Sequence, residues 1–183
     1  MKYFVDTELI ERGANHPLEL ISIALVAEDG REFYAISSEF DRRRANAFVG
    51  EHVLPHVDFR GEPPLSSGGS PRRNWERSRV MRRCQIAAEI LEFVGADGSP
   101  EFWGDCAAYD WVALCQLFGD MSCLPRGWPM FCRDIQQLRA ERGGQDLPTL
   151  PPEHGARLEH HALYDARETA YRFLWLAAEE EAP

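Results

Sequence analysis

The sequence predicts a single α/β domain in which helices cover a mixed β-sheet. The chain has 183 residues, which is enough for one hydrophobic core of ordinary size. Its first part holds three apolar runs separated by turn signals, and the remainder alternates helical patterns with short strands. An antiparallel meander followed by helices and further strands is typical of a mixed sheet with helices on its faces. We therefore treat residues 1–183 as one domain.

Three strands open the chain as the antiparallel meander. The first covers about residues 2–7 and the second residues 18–27, where large aliphatic side chains alternate. The segment 28–31, Glu-Asp-Gly-Arg, carries the Asp-Gly signal of a hairpin turn. The third strand spans residues 31–38. Side chains of a strand alternate between its two faces, so Phe33, Ala35 and Ser37 are predicted on one face of this strand. Tyr34 and Ile36 are predicted on the other face.

The rest of the chain is predicted to be mainly helical, with one short strand at 102–105. Helices are expected at about 41–54 (one or two short ones), 75–94, 109–118, 133–142 and 163–180. Gly95 is a candidate C-cap of the second of these. Two inward faces are predicted from the spacing: Val80, Cys84, Ala87, Leu91 and Val94 in one helix, and Ala166, Ala170, Phe173 or Leu174, and Ala177 in the last.

The segment 55–74 is rich in proline, glycine and serine, and it is predicted to be a flexible loop. Overlapping its C-terminal end, the range 72–83 holds six of the chain's 20 basic residues, all arginine. This cluster could follow the phosphates of a nucleic acid, or it could be a solvated helix face or a subunit contact.

Composition excludes several classes of function. The net charge of −10 argues against nucleic-acid binding by bulk positive charge, although an enzyme could still hold a few phosphates through metal ions. No apolar stretch is long enough to span a bilayer, and the N-terminus does not resemble a signal peptide, so we expect a cytoplasmic protein with no membrane partner. The five cysteines are odd in number and scattered, which indicates buried free thiols rather than disulfides or structural zinc.

Asp6 and Glu8 lie two residues apart at the end of the first strand. Residues i and i+2 of a strand project to the same face, so the two carboxylates are held side by side. Like charges this close are costly to bury unless a cation lies between or beside them. The pair therefore predicts a site for a divalent metal ion, the alternative being an ordinary solvated strand end.

Two further segments carry candidate site residues. Asp165 lies in the first turns of the last helix, and His160 just precedes that helix, which suits a metal ligand beside a general base. His161 is an alternative to His160. Asp110 begins the helix after the fourth strand, where it could be a cap, a metal ligand or both, and Asp105 is a nearby competitor.

Taken in order, Asp6-x-Glu8, Tyr109-Asp110 and His160-x4-Asp165 resemble the DEDDh family of 3′→5′ exonucleases. The resemblance spans nearly the whole chain and implies a ribonuclease H-like fold. Within the family the sequence is most similar to the small actinobacterial 3′-exoribonucleases described as polyadenylate-specific. Two positions differ from many members: Asp105-Cys106-Ala107 stands where His-Asn-Ala is common, and Ser22 stands where the second strand often has Glu.

The resemblance implies a two-metal hydrolysis of phosphodiester bonds that releases nucleoside 5′-monophosphates. Two Mg²⁺ or Mn²⁺ ions would be held by Asp6, which bridges them, by Glu8 and Asp165 at one ion, and by Asp110 at the second. His160 would accept the proton of the attacking water. The candidate substrate contacts are Thr7, Leu9, Tyr109, Arg77 and Arg79.

The implied substrate is the 3′ end of single-stranded RNA, with a preference for polyadenylate, and a homodimer is the implied assembly. Two alternatives remain at this point. One keeps the fold and metal but makes DNA the substrate, as in proofreading or repair exonucleases. The other is a non-catalytic nucleic-acid-binding module, which the presence of all five core residues argues against.

Overall fold

The computed structural model describes residues 1–57, 80–152 and 158–178 of the chain, and these form a mixed α/β fold around one six-stranded sheet. The strand order is β4-β3-β2-β1-β5-β6. β1, β2 and β3 pair antiparallel, and β4, β5 and β6 are added in parallel at the two sides. The strands are β1 (Lys2–Ile10), β2 (Glu19–Ala27), β3 (Glu32–Ser37), β4 (Val80–Met81), β5 (Glu101–Gly104) and β6 (Arg133–Asp134).

The predicted α/β class, a three-stranded meander extended by parallel strands, is confirmed, and the arrangement is compatible with a ribonuclease H-like fold. β1 runs further than expected, to Ile10, because Leu9 and Ile10 continue the pairing with β2. In β3 the predicted division of faces is correct. Phe33 and Ala35 pack into one core, and Tyr34 and Ile36 into the other.

In the described part of the chain, four α-helices cover the sheet. They are α1 (Arg83–Val94), α2 (Ala108–Leu117), α3 (Ile135–Glu141) and α4 (Ala162–Ala178). α1 and α2 contribute to the core on one face, and α4 packs over β1 and β2 on the other, together with Ile135 of α3. The short helices expected at 41–54 are a 3₁₀ turn at Arg42–Arg44 and a π-helical turn at Val49–Val53, and a second 3₁₀ turn follows at Leu54–His56.

The prediction of a helix over 75–94 is wrong at its N-terminal end. Val80 and Met81 form β4, which pairs with the end of β3, so α1 begins only at Arg83; residues 75–79 lie outside the described residues. Gly95 ends the helix at a φ of +64°, as predicted. A strand of two residues is too short to show a periodicity from which it could be predicted. Its pairing depends on the free edge that β3 presents.

The inward face of α1 was also mispredicted. Cys84 is exposed and Leu91 is 45% exposed. The residues that face the core are Ile86, Ala87, Ile90 and Val94. Ala87 and Val94 belong to both patterns, since a helix with apolar residues on adjoining stripes fits two faces about one residue apart. Packing against the sheet selects the stripe with the two isoleucines.

The two C-terminal helices differ slightly from prediction. The segment expected to be helical from residue 133 begins with β6 at the sheet edge, and α3 starts after Asp134, whose side chain accepts a hydrogen bond from the Gln136 N–H at 2.7 Å. In α4, Phe173 packs inward as proposed, whereas the alternative Leu174 is 63% exposed. Leu176 is fully buried, which the predicted face missed.

Three further expectations concern the rest of the chain. The five cysteines are free, as predicted, but the expectation that they are buried holds only for Cys115, whereas Cys84, Cys106 and Cys123 are exposed. Within the described ranges no helix is long and apolar enough to cross a membrane. Of the loop predicted at 55–74, only residues 55–57 lie in the described part of the chain, so the prediction of flexibility is not tested. Four arginines of the cluster also lie outside the described residues: Arg72, Arg73, Arg77 and Arg79.

Candidate active site

Three carboxylates from two elements meet on the face of the sheet that α4 covers. Asp6 and Glu8 project from β1, and Asp165 lies in the first turn of α4. One oxygen from each of the three lies within 4.8 Å of the others. The i, i+2 spacing holds the first two on one face, and the packing of α4 across β1 brings the third. We call Asp6, Glu8 and Asp165 the carboxylate cluster.

Asp110 joins the site from the other side of β1. It is the third residue of α2 and is 8% exposed. Its Oδ1 accepts hydrogen bonds from the backbone N–H of Thr7 at 2.9 Å and from the Thr7 hydroxyl at 2.5 Å. Since Thr7 stands between Asp6 and Glu8 in the strand, these bonds anchor Asp110 next to the carboxylate cluster.

Burial and mutual repulsion raise the pKa of every carboxyl group in the site. Burial, together with the carboxylates of Asp165 and Asp110, raises the pKa of Glu8 to about 8. Burial, followed by four neighbouring carboxylates, Asp110, Asp165, Glu8 and Asp105, holds the pKa of Asp6 well above its usual range. Burial and Glu168 raise the pKa of Asp165 to about 7, against the lowering effect of the His161 and His160 backbone N–H groups. Among the described residues, burial and repulsion therefore outweigh the nearby positive charge of Arg172, which lowers the pKa of Asp165.

The pKa of Asp110 is raised least, to about 6. Burial is the main cause, and the hydrogen bonds from Thr7 act in the opposite direction because they favour the ionised form. These four groups offer only hard oxygen ligands. That donor set suits Mg²⁺ or Mn²⁺ rather than zinc. A bound divalent cation would supply the charge that the site lacks.

The nearest competitor, Asp105, is already occupied by other partners. Its carboxylate pairs with the Arg172 guanidinium at 2.6 Å and accepts a hydrogen bond from the Gln136 amide at 2.8 Å. Arg172 also pairs with Glu168 one turn earlier on α4. Asp105 thus ties the end of β5 to α3 and α4. Of the two candidates, Asp110 is the one hydrogen-bonded to β1.

The two histidines before α4 have separate environments. His161 is buried, and its ring stacks on Tyr34 with centroids 4.7 Å apart. His160 has a φ of +60°, and its ring meets Phe48 edge-on at 5.0 Å. Its side chain lines a cavity of about 510 Å³ together with Phe48, His52, His56, Leu158 and Glu159. The structure therefore places His161 in the core and His160 at an open surface.

The predicted substrate contacts fall into different positions. The Thr7 hydroxyl is used in holding Asp110, and Leu9 is partly buried against the core that α1 and α2 cover. Tyr109 is 54% exposed directly before Asp110, and its hydroxyl lies 3.4 Å from a Glu11 carboxylate oxygen. Its exposed ring can meet a ligand beside the site. Arg77 and Arg79 lie outside the described residues.

Sequence reasoning missed the residues that hold the site in place. Thr7 was proposed only as a substrate contact, and Arg172 was not singled out. The i, i+4 spacing of Glu168 and Arg172 is a signal that could have identified the second, since such pairs face one another on a helix. No local signal marks the bond from Thr7 to Asp110, because its partners are 103 residues apart.

Comparison with known proteins gives two relatives along the full chain, while no family model matches. Both are named 3′-5′ exoribonuclease and come from Mycobacterium tuberculosis, one from strain H37Rv and the other from strain CDC 1551 / Oshkosh. Each is 46% identical over 184 aligned positions, which cover 100% of this chain and 96% of the relative. The chain belongs to the family of these 3′-5′ exoribonucleases.

Proposed function

We propose that the protein is a metal-dependent 3′→5′ exoribonuclease of the DEDDh type, which releases nucleoside 5′-monophosphates from the 3′ end of single-stranded RNA. The carboxylate cluster carries this proposal. Three carboxylate oxygens within 4.8 Å, with a fourth carboxylate anchored beside them, form a ligand set for divalent cations. The names of the two relatives give the activity and the class of substrate.

Asp6, Glu8, Asp165 and Asp110 would hold two Mg²⁺ or Mn²⁺ ions. When bound, the ions stabilise the negative charge on the attacking and leaving oxygens of a phosphodiester. The chain's own residues prepare this arrangement. Thr7 fixes the direction of Asp110. The backbone N–H groups of His160 and His161 face the Asp165 carboxylate and favour its ionised form.

His160 is the proposed general base. An imidazole nitrogen accepts the proton of the attacking water, a role that suits a histidine because its ordinary pKa lies near neutrality. Its position directly before α4, beside a cavity open to solvent, supports this role. His161 is not proposed for this role because its ring is buried against Tyr34.

The proposal extends to substrate and setting. Tyr109 would stack on a base next to the site, a role supported by its exposed ring and by its position directly before Asp110. A preference for polyadenylate, a homodimeric assembly and a cytoplasmic location rest on the sequence resemblance and are proposed with it. An acidic chain of net charge −10 would hold RNA by local metal and aromatic contacts rather than by bulk attraction.

The decisive experiment is digestion of 5′-labelled RNA oligomers, namely oligo(A), oligo(C) and oligo(U), beside a DNA oligomer of the same length. Each substrate is incubated with Mg²⁺ or Mn²⁺, and in parallel with EDTA. We expect a ladder that shortens from the 3′ end of RNA, fastest for oligo(A), and no cleavage in EDTA. Asp6→Asn and Asp165→Asn should abolish the ladder, whereas Asp146→Asn, at a fully exposed carboxylate, should not. Cleavage that persists in EDTA, or full activity of Asp6→Asn, would refute the proposal.

The same assay separates the alternative in which DNA is the substrate. If the DNA oligomer shortened faster than every RNA, the site would belong to a DNA exonuclease and the assignment to RNA would be wrong. Binding of labelled RNA without any metal-dependent shortening would instead support a non-catalytic module.

A further inference from the structure

A serine on the neighbouring strand lies directly opposite one member of the carboxylate cluster. In the β1–β2 ladder Ser22 pairs with Glu8, at the point where the register shifts between Glu8 and Leu9. Residues directly opposed across an antiparallel pair have Cβ atoms about 4.5–5.5 Å apart and project to the same face. Ser22 therefore stands beside Glu8 on the face where Asp6 and Asp165 meet.

The Ser22 hydroxyl is buried without a hydrogen-bond partner among the described residues. The residue is 1% exposed, and its Oγ is shielded from solvent. The other buried serine and threonine among the described residues have hydrogen-bond partners: Thr169 donates to the Asp165 carbonyl at 2.9 Å, and the Ser37 Oγ accepts from the Glu39 N–H at 3.2 Å. A buried hydroxyl without a partner costs about 1–3 kcal/mol, so its presence at this position calls for a compensating role.

Of the two residues paired with Ser22 in the sheet, Glu8 is the polar one. On the other side of β2 it is paired with Ile36, which is fully buried and apolar. Glu8 is opposite, and one Glu8 oxygen lies within 4.8 Å of ligand oxygens of Asp6 and Asp165. A carboxylate that binds a cation through one oxygen keeps lone pairs that a nearby hydroxyl can reach.

We propose that Ser22 is a positioning residue of the metal centre, whose hydroxyl donates a hydrogen bond to Glu8 when that carboxylate holds a divalent cation. The inference rests on the proposed function, because it assumes a cation at the carboxylate cluster. Groups that hydrogen-bond a ligating carboxylate fix its orientation and typically change metal affinity by about 10–100-fold. The hydroxyl would thus be unpaired in the metal-free chain and paired in the metal-bound one.

The test is titration of the full chain with Mn²⁺, followed by calorimetry and by thermal unfolding without RNA. Ser22→Ala should bind Mn²⁺ at least ~10-fold more weakly. Its metal-free melting temperature should be equal to or above that of the wild type, because only an unpartnered hydroxyl has been removed. Ser37→Ala is the matched control, since it is an equally buried serine on the opposite face of the sheet, and it should bind Mn²⁺ normally.

A double-mutant cycle with Glu8→Gln identifies the partner. If the hydroxyl acts through Glu8, Ser22→Ala should weaken Mn²⁺ binding much less in the Glu8→Gln background than in the wild type. Ser22→Thr, which keeps the hydroxyl, should restore affinity. Wild-type affinity in Ser22→Ala, or an equal loss in both backgrounds, would overturn the proposal. A wild-type chain that binds Mn²⁺ without cleaving RNA would refute the exonuclease function and leave the role of Ser22 intact.

Discussion

The backbone N–H and the hydroxyl of Thr7 both donate to a single oxygen of Asp110, which lies 103 residues further along the chain. These bonds tie the first turn of α2 to the middle of β1. They also act against burial by favouring the ionised form of Asp110, whose pKa rises only to about 6. A residue between two proposed metal ligands thereby fixes a third.

Thr7→Val should weaken this connection without changing the shape of the side chain. The hydroxyl donor is lost and the backbone donor remains, so the pKa of Asp110 should rise further. A hydrogen bond to a charged group contributes about 1.5–3 kcal/mol, and we expect a loss of unfolding free energy at the lower end of that range at pH 7. Chemical denaturation measures the stability, and Mn²⁺ titration should show weaker binding.

Thr7→Ser serves as the control because it keeps the hydroxyl. It should bind Mn²⁺ with nearly the wild-type affinity. Equal Mn²⁺ affinities for Thr7→Val and the wild type would show that Asp110 is positioned without the side chain of Thr7.

The raised pKa values predict that the metal-free protein becomes less stable as the pH rises. Glu8 has a folded pKa of about 8 against an ordinary value of 4.5, so the folded state binds more protons than the unfolded state between these limits. Stability from this group is complete below about pH 4.5 and is lost as the pH rises through about 8, at a cost on the order of a few kcal/mol. Glu8→Gln should flatten the dependence, as measured by urea unfolding at a series of pH values in EDTA.

A divalent cation should reverse this trend. Ions bind the ionised carboxylates, so the stabilisation by saturating Mn²⁺ should grow from pH 5 to pH 8. Glu51→Gln, at an exposed carboxylate on the π-helical turn, is the control and should follow the wild type. A metal-induced shift in melting temperature that did not depend on pH would contradict the assignment of these groups as ligands.

Local periodicity was sufficient to predict much of the fold and the pairing of two proposed ligands. Asp6 and Glu8 could be placed together because the strand repeat of two residues is fixed by the backbone. The two faces of β3 followed from the same rule. The sequence also indicated the first turn of α4, where Asp165 lies, because a helical pattern begins there.

What local patterns could not supply depends on distant partners. β4 and β6 have two residues each, and they exist because the edges of β3 and β5 are available. The choice between Asp105 and Asp110 is decided by Arg172 and Thr7, which are remote in sequence. The environments of His160 and His161 depend likewise on Phe48 and Tyr34.

The corrected inward face of α1 predicts opposite outcomes for two neighbouring residues. Ile90 is fully buried and Leu91 is 45% exposed. Ile90→Ala should lower the unfolding free energy by about 2–5 kcal/mol, because it leaves a cavity in the core. Leu91→Ala should change it by about 0.5 kcal/mol or less. Denaturant unfolding of the two variants measures both values, and a larger loss for Leu91→Ala would restore the face expected from the sequence.

Substitutions of the two adjacent histidines before α4 should have different effects, one on the rate of RNA cleavage and the other on the free energy of unfolding. His160→Asn keeps a residue that tolerates the positive φ of this position, and it removes the proposed proton acceptor. RNA cleavage should fall by about 10²–10⁴-fold, the usual contribution of a general base, while Mn²⁺ affinity and unfolding free energy stay near the wild-type values.

His161→Ala removes a buried ring that stacks on Tyr34, so its main effect should be a lower free energy of unfolding. Cleavage should persist in whatever fraction of that variant remains folded, since its ring does not face the cavity side where His160 lies. A folded His161 variant without activity, beside an active His160→Asn, would move the general base into the core and refute the proposed role of His160.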